Sequence, residues 1–289
     1  MQPINIKMTN EIFKNMGKDI FKIVESNIPE MKLIKYLDKK TLSISEISIS
    51  TPSNDALTAF YLKPKKKGKY PCVLYSHWLA NKHDANKTEF LSEAEQLCNK
   101  GYVCLLIDTV FANWPKTRMK WKGDDYKHDR QIVIQQIVEL RYFLFWIRTQ
   151  PEIDVNRIAL VGHDFGAMFN AVLSGIEKNI KACVFMAAIS DFSDWFTLRK
   201  KMTDADLLAY FKNMSDLAPI KYLEMANNTS FLFQFGKKDK SFVPKENADL
   251  LVEKTNGNKE VKYYDEGHAI HLNATATTDR INWLIKQLG

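Results

Sequence analysis

The sequence predicts an α/β fold with a mostly parallel central sheet, helices on both faces, and antiparallel strands at the N-terminal edge. From residue 70 onward, short continuous apolar runs alternate with amphipathic segments of helical length. This alternation is typical of a parallel sheet that is covered on both faces. Before residue 70, two runs of alternating polarity, 42–50 and 56–62, flank the turn-forming residues 51–55 and predict an antiparallel pair.

Each later element can be assigned from its own pattern. The predicted strands are 72–75, 103–107, 158–161, 182–186, 231–235 and 261–264, and the predicted helices are 87–100, 129–149 and 275–288. Gly101 ends the first of these helices and Pro151 follows the second, as expected at helix C-termini. Apolar residues recur at three- and four-residue spacing over 9–37. They predict an N-terminal helical extension over residues 1–40, which either packs on the main body or serves as an arm for a partner.

Composition and charge narrow the classes of partner. The 289 residues suffice for one large α/β domain, and 45% are hydrophobic and 26% charged, an ordinary globular balance. The net charge of +7 comes from scattered lysines, and the densest group, 63–69, lies in a turn that contains proline and glycine. We therefore expect no nucleic acid partner. Because no apolar run reaches the roughly 18 residues of a membrane span, we expect no membrane partner either. A homo-oligomer is left open.

The cysteine spacing indicates whether a metal or cofactor is expected, and the first residues indicate the cellular compartment. The four cysteines form no C-x-x-C pair and no zinc-ligand spacing with histidine. His83 with Asp84 and His128 with Asp129 fit loop and helix-cap positions better than a metal site. We therefore predict no metal and no cofactor, and buried reduced thiols. The first residues lack a secretory signal pattern, so the expected location is cytoplasmic.

The segment 158–167 has the pattern of a sharp turn between a strand and a helix. An apolar run leads to Gly162-His163-Asp164-Phe165-Gly166, and a small-residue helical segment follows. Small residues beside the apex are needed because so tight a turn leaves no room for side chains. This is the G-x-S-x-G pattern of a nucleophile elbow with Asp164 in the central position. The stretch resembles the elbows of haloalkane dehalogenases and epoxide hydrolases.

Two further groups follow strands in the order that the α/β-hydrolase fold requires. Asp239 comes just after strand 231–235, and His268 follows strand 261–264, which gives the order nucleophile, acid, histidine. Alone, Asp239 could be a helix N-cap and His268 a core histidine, but their joint placement favours a triad. The resemblance to the α/β-hydrolase fold covers about residues 40–288, and the part from 215 to 268 most resembles the catalytic domains of dienelactone hydrolases and prolyl oligopeptidases. The resemblance implies one α/β-hydrolase domain over 1–289, with a small lid at 189–229.

The resemblance to enzymes with an aspartate nucleophile implies a two-step hydrolysis. Asp164 would attack an sp3 carbon and form an alkyl-enzyme ester, and His268, oriented by Asp239, would activate the water that hydrolyses it. The backbone N–H of Phe165, with a second from Trp78 or Leu79, would stabilise the oxyanion. Trp78 stands where the family has glycine, and a bulky residue does not adopt glycine's positive φ angles easily.

The substrate pocket and the leaving-group donors are assigned only as candidates. His77, Trp114 and Trp195 are candidate pocket residues for a small-molecule substrate. The candidate donors to a leaving group are Trp78, Trp114, Trp121 and Trp195, or Tyr126, Tyr210 and Tyr222. The scissile bond would be an ester, an epoxide or a carbon–halide bond.

Two alternatives to the two-step mechanism stay open at this point. One is a non-catalytic member that lost an esterase serine and now binds a ligand or partner. The other is an esterase that uses water activated by Asp164 and His268.

Overall fold

The computed structural model describes residues 20–25, 28–51, 56–226 and 228–289. Within these ranges a nine-stranded sheet has the spatial order β1-β2-β3-β5-β4-β6-β7-β8-β9. The strands are β1 (Met31–Asp38), β2 (Leu42–Ser50), β3 (Ala56–Pro64), β4 (Tyr70–Ser76), β5 (Val103–Ile107), β6 (Ile153–His163), β7 (Ile180–Met186), β8 (Ser230–Gly236) and β9 (Asn258–Tyr264).

The sheet changes from antiparallel to parallel at the contact between β3 and β5. β1, β2, β3 and β5 pair in antiparallel fashion in that order, and all pairs from β5 to β9 are parallel. The central parallel strands are almost wholly buried, as continuous apolar strands are when helices cover both faces. The predicted fold class and antiparallel N-terminal edge are confirmed.

Helices form a layer on each side of the sheet. They are α1 (Leu91–Asn99), α2 (Tyr126–Arg148), α3 (Phe165–Ile176), α4 (Phe192–Thr197), α5 (Asp204–Met214), α6 (Pro219–Leu223), α7 (Lys245–Lys254) and α8 (Ala274–Leu288). α2 and α3 belong to one buried apolar cluster, and α1 and α8 belong to the other. No helix of the described ranges combines the length and apolarity needed to cross a membrane.

The N-terminal edge differs from the sequence prediction. Residues 31–38, predicted as the end of a helical extension, form strand β1, which pairs with β2 from Met31–Ile49 to Asp38–Ser43. Every residue of β1 is exposed, so its apolar side chains bury nothing there. Backbone pairing with β2 decides the conformation instead. Residues 1–19 of the predicted extension lie outside the described residues.

The turn between β6 and α3 has the tight geometry that the glycines predict. A Cβ atom at Gly162 would lie 2.5 Å from the Cα atom of Ala167, and one at Gly166 would lie 2.2 Å from the carbonyl oxygen of Ser76. Asp164, at the apex, has φ 58° and ψ −125°, and its N–H donates to the carbonyl of Met186 at 2.9 Å. The turn therefore holds Asp164 at the carboxyl edge of the parallel strands, where sheets of this kind place reactive groups.

Candidate active site

Asp164 is held in a strained conformation with its carboxylate fixed by a backbone donor. A positive φ is costly for a residue with a side chain and persists only where the surroundings impose it. Only 4% of Asp164 is exposed. The N–H of Leu79, in the loop after β4, donates to Asp164 Oδ2 at 3.1 Å. The structure thus brings together the predicted nucleophile and one predicted oxyanion donor.

His268 lies between the two predicted acids. Its Nδ1 is 2.6 Å from Asp239 Oδ2, and its Nε2 is 3.6 Å from Asp164 Oδ2. Because Nδ1–H donates to Asp239, the other ring nitrogen faces Asp164 and the cavity. Burial alone would lower the pKa of His268, but the adjacent carboxylates of Asp164 and Asp239 outweigh it and raise the pKa to about 10. The three predicted triad residues therefore form one connected group.

The loops after β8 and β9 lock Asp239 and His268 in register. A Cβ atom at Gly236 would lie 2.2 Å from the carbonyl oxygen of Gly267, so the two loops cross at a position that only glycine allows. The N–H of Lys238 donates across the crossing to the carbonyl of Glu266 at 2.9 Å. This contact fixes the separation of the acid from the histidine before any substrate binds.

The loop after β4 differs from the sequence prediction at two candidate residues. The N–H of Trp78, a candidate oxyanion donor, donates instead to Glu89 Oε2 at 2.7 Å, so Leu79 supplies the donor. His77, a candidate pocket residue, is 2% exposed and lies behind the loop. Its Nδ1–H donates to the carbonyl of Trp78 at 2.7 Å and its Nε2 accepts the N–H of Thr109 at 3.0 Å. Burial lowers the pKa of His77, which fits a neutral ring that supports the loop.

Trp78 fits in the place of glycine because the loop does not need a positive φ there. Trp78 is not among the described residues with positive φ. Its ring, 8% exposed, packs parallel to the ring of His163 with centroids 5.3 Å apart. The departure from the family pattern thus leaves the Leu79 donor in position.

Phe165 contributes both a backbone donor and part of the cavity wall. It is the first residue of α3, so its N–H is among those that have no acceptor within the helix. Its ring packs edge-on against Trp195 at 5.0 Å. The helix N-terminus also favours negative charge beside it. Phe165 therefore stays a candidate for the second oxyanion donor, with an N–H that the helix itself does not use.

An apolar cavity of about 470 Å³ opens beside Asp164 and His268. Its walls are Leu79, Asn81, Trp114, Trp121, Asp164, Phe165, Trp195, Phe196, Leu198, Arg199, Lys200, Phe242 and His268. Trp114 and Trp121 stack with centroids 4.7 Å apart, while the indole N–H of Trp195 is already bound to the carbonyl of Phe242 at 2.8 Å. The structure therefore places Trp114 and Trp195 in the wall, but Trp195 has no free donor to offer a leaving group.

The candidate tyrosines do not serve the cavity. The hydroxyl of Tyr210 donates to Asp129 Oδ2 at 2.7 Å, and that of Tyr222 donates to the carbonyl of Asp216 at 2.8 Å. Tyr126 opens α2 and is not part of the cavity wall. The pair of tyrosines that epoxide hydrolases use is therefore not formed by these three residues.

A second group of ionisable side chains, which we call the sealed cluster, comprises Glu89, His163 and His271. One ligand atom from each lies within 4.8 Å of the others, a spacing compatible with a metal ion. Burial raises the pKa of Glu89 to about 8 and lowers that of His163 to about 3. Glu89 and His163 are 74 positions apart in the chain, so a local sequence motif could not have predicted the cluster.

Comparisons of the sequence with known proteins find two relatives of low identity. No protein-family model matches the chain. It is 22% identical over 262 residues to the "Uncharacterized peptidase YuxL" of Bacillus subtilis, covering 82% of this chain and 37% of that protein. It is 20% identical over 198 residues to the "Putative hydrolase YtaP" of the same organism, covering 60% of this chain and 64% of that protein. The aligned part thus spans less than two thirds of either relative.

Solved structures match over nearly the whole chain. The acetyl xylan esterase from Paenibacillus sp. R4 superposes with a TM-score of 0.75 at 14% identity, covering 99% of this chain and 96% of that one. Acetyl xylan esterase 1 from Thermoanaerobacterium sp. JW/SL YS485 gives 0.76 at 13% identity and 99% of both chains. A "Putative Dienelactone Hydrolase" from Klebsiella pneumoniae gives 0.63 at 16% identity, with 86% and 99% covered. The chain has the α/β-hydrolase fold.

Proposed function

We propose that the protein is a hydrolase of small organic molecules in which Asp164 is the nucleophile, His268 the base and Asp239 its partner. One observation carries the proposal. At the wall of one apolar cavity, the carboxylate of Asp164 receives the Leu79 N–H at 3.1 Å and faces a His268 ring held by Asp239 at 2.6 Å. The esterase and hydrolase names of the structures with this fold support the hydrolase class.

In the first step, an oxygen of Asp164 attacks an sp3 carbon of the substrate. The new C–O bond forms as the bond to the leaving group breaks, and the electron pair departs with the leaving group. A carboxylate needs no base for this attack because it is already ionised. The Leu79 N–H keeps Asp164 Oδ2 in place, which leaves the other oxygen for attack. Asn81 lines the same cavity and has the amide donor that a departing anion requires.

In the second step, water hydrolyses the ester. Ester formation removes the charge of Asp164, one of the two anions that favour the protonated form of His268. Neutral His268 then takes a proton from water, which attacks the ester carbonyl at Asp164. The N–H groups of Leu79 and Phe165 stabilise the oxyanion, and loss of one such donor typically costs about 100- to 1000-fold in rate. As this intermediate collapses, the C–O bond to the alkyl group breaks and protonated His268 gives its proton to the departing alkoxide, which forms the alcohol. The carboxylic acid of Asp164 then loses its proton to solvent and becomes a carboxylate again.

The cavity wall favours a compact apolar substrate. Trp114, Trp121, Phe196 and Phe242 supply aromatic surface, and a volume of about 470 Å³ admits a molecule of modest size. Among the candidate tyrosines that would activate an epoxide, the hydroxyls of Tyr210 and Tyr222 are bound elsewhere, and Tyr126 is not part of the cavity wall. We therefore rank a carbon–halide bond above an epoxide as the scissile bond.

A substrate panel tests the proposal. Purified protein would be assayed against short haloalkanes, epoxides and acyl esters, alongside the Asp164→Asn variant and the control Asp265→Asn, a 79% exposed acid near His268. We expect turnover of a haloalkane or epoxide that Asp164→Asn abolishes and Asp265→Asn retains. Undiminished turnover by Asp164→Asn would exclude a nucleophilic role.

A second candidate function is a binding protein derived from a serine esterase. It is favoured by the position of Asp164 Oδ2, which lies against the Leu79 N–H where an ester oxyanion would otherwise bind. If this candidate holds, wild type is inactive on all three substrate classes. Asp164→Ser would then gain acyl-ester hydrolysis, because His268 and Asp239 are already placed to activate a hydroxyl.

A third mechanism, in which Asp164 and His268 jointly activate water against an acyl ester, makes its own prediction. Acyl-ester turnover would persist with no covalent intermediate on the protein. Reaction in water labelled with ¹⁸O separates the two routes. The nucleophile mechanism incorporates label into Asp164 over repeated turnovers, whereas direct attack by water leaves the protein unlabelled.

A further inference from the structure

None of the three residues of the sealed cluster is in the cavity wall, and the ring of Trp78 packs against His163 and His271. The side chains of Glu89 and His163 are fully buried and that of His271 is 3% exposed. Three groups that can each bind a proton or a metal are thus enclosed together. Such a cluster is costly unless every polar atom has a partner.

The hydrogen bonds on the outside of the cluster fix the protonation of both rings. His163 Nε2 lies 2.8 Å from the carbonyl oxygen of His268, which only accepts, so this nitrogen carries the hydrogen. His271 Nε2 lies 3.1 Å from a carboxylate oxygen of Asp84 and likewise donates. In both neutral rings, therefore, Nδ1 carries a lone pair that points inward, toward Glu89.

One proton does not satisfy the interior of the cluster. Glu89 Oε1 is 2.6 Å from His163 Nδ1 and 3.4 Å from His271 Nδ1, while Oε2 already accepts the N–H of Trp78. A proton on Oε1 could serve His163, but His271 Nδ1 would stay without a hydrogen-bond partner, as it is in this structure. A single cation between the three groups would engage both lone pairs and the carboxylate.

We propose that the sealed cluster is a binding site for a divalent transition-metal ion, with Zn²⁺ as the representative ion. The ligands are Nδ1 of His163, Nδ1 of His271 and a carboxylate oxygen of Glu89. Imidazole and carboxylate are ordinary zinc ligands, and three such ligands are a common set. Metal-bound histidines usually donate their other N–H to a carbonyl or carboxylate, which is the arrangement of both rings here.

The site joins three of the segments that carry the proposed catalytic groups. His163 precedes Asp164, His271 lies in the turn Ile270–Leu272 just after His268, and Glu89 holds the N–H of Trp78 beside Leu79. The ring of Trp78 covers the ion site, with its centroid 4.6 Å from that of His271. The bound ion would therefore act as a cross-link that positions Asp164, His268 and the Leu79 N–H, without touching substrate.

Metal content and thermal stability test this site independently of any enzymatic activity. Bound metal would be removed from wild-type protein with a chelator and dialysis. Zn²⁺ would then be titrated in, with calorimetry to measure its affinity and elemental analysis to measure the metal content. We expect one equivalent per chain with a Kd below about 1 μM. The unfolding midpoint should rise by about 5 °C when free Zn²⁺ is near 100 times the Kd. A wild-type protein that binds no Zn²⁺ and shows no shift would overturn the proposal.

A matched pair of variants locates the ion. His271→Gln removes a ligand, whereas His83→Gln changes an exposed histidine outside the cluster. We expect His271→Gln to weaken Zn²⁺ binding at least about 100-fold, and His83→Gln to bind like wild type. Circular dichroism would establish that both variants fold; if His271→Gln does not, the wild-type titration still decides. Unchanged affinity in folded His271→Gln would assign the ion to another site and overturn the proposal.

Discussion

The predicted triad (Asp164, Asp239 and His268) and the sealed cluster contain the same types of side chain. Their imidazole hydrogens point in opposite directions relative to the carboxylates. The triad has two carboxylates and one imidazole, and the sealed cluster has one carboxylate and two imidazoles. The rings of His163 and His268 are only 5.6 Å apart between centroids. In the triad, Nδ1–H of His268 is bound by Asp239, and Nε2 faces the nucleophile. In the sealed cluster, both Nε2–H groups point outward, and the Nδ1 lone pairs converge on Glu89.

Access to the cavity is the second difference. The side chain of His268 is 17% exposed and lines the cavity, whereas that of His163 is fully enclosed. A ring that can reach water and substrate can exchange protons during a reaction. A ring that cannot reach water or substrate can only have a structural role, either as a hydrogen-bonded support or as a metal ligand. Residue type alone therefore does not distinguish reactive from structural histidines; the direction of the ring hydrogens and the exposure do.

The largest expected effect comes from neutralising the nucleophile. Asp164→Asn keeps the size of the side chain but removes its charge, so we expect kcat to fall by about 10⁴-fold or more. The Leu79 N–H can still bind the amide oxygen, so the far-UV circular dichroism and unfolding midpoint should match wild type. Initial rates on the best substrate measure the effect. A kcat within tenfold of wild type would remove Asp164 from the mechanism.

The second-largest loss of activity should follow substitution of Asp239, the partner of His268. Asp239→Asn replaces the acceptor of the His268 Nδ1–H, so the ring can adopt the wrong tautomer. We expect kcat to fall by about 10³- to 10⁴-fold, with substrate KM little changed. Asp265→Asn is the matched control. An equal loss in both variants would mean that the effect is general charge rather than orientation.

Breaking the sealed cluster should affect activity less than either change in the triad. His271→Gln leaves Asp164, Asp239 and His268 intact and removes only the link between the segments of Asp164, His268 and the Leu79 loop. We expect kcat to fall by about tenfold or less and the unfolding midpoint to drop by a few degrees. The result can be measured by comparing thermal scans with and without chelator. A kcat loss as large as that of Asp239→Asn would show that the cluster takes part in the chemistry.

A substitution in the cavity wall should have the smallest effect on activity. Trp114→Ala removes one face of the Trp114–Trp121 stack and should weaken binding of an apolar substrate. We expect KM to rise by about tenfold while kcat stays within about twofold. Steady-state kinetics separates the two constants. A lower kcat at unchanged KM would place Trp114 beside the reacting atoms instead.

The sequence predicted the strand ends that carry the triad because three independent patterns coincided there. Each triad residue directly follows an apolar run, and parallel strands bring such positions to one edge. The glycines beside Asp164 predicted the turn for a steric reason that the Cβ distances reproduce. The roles of these residues stay a proposal, but their proximity could be foreseen.

Other parts of the molecule depend on contacts that the sequence does not encode locally. β1 is a strand because β2 offers it a backbone edge, although its apolar spacing suits a helix. Of the two candidate donors in the loop after β4, Trp78 has its N–H bound by the distant Glu89, which its local sequence does not indicate. The sealed cluster was missed for the same reason, since its members come from three separate segments.

A covalent intermediate on Asp164 is the most direct test of the proposed mechanism. In His268→Gln, attack still occurs but the base for hydrolysis is missing, so the ester should accumulate. Mass spectrometry of peptides after incubation with the best substrate should then find the mass of the alkyl group on the peptide that contains Asp164. Finding that peptide unmodified, while wild type turns the same substrate over, would contradict nucleophilic catalysis by Asp164.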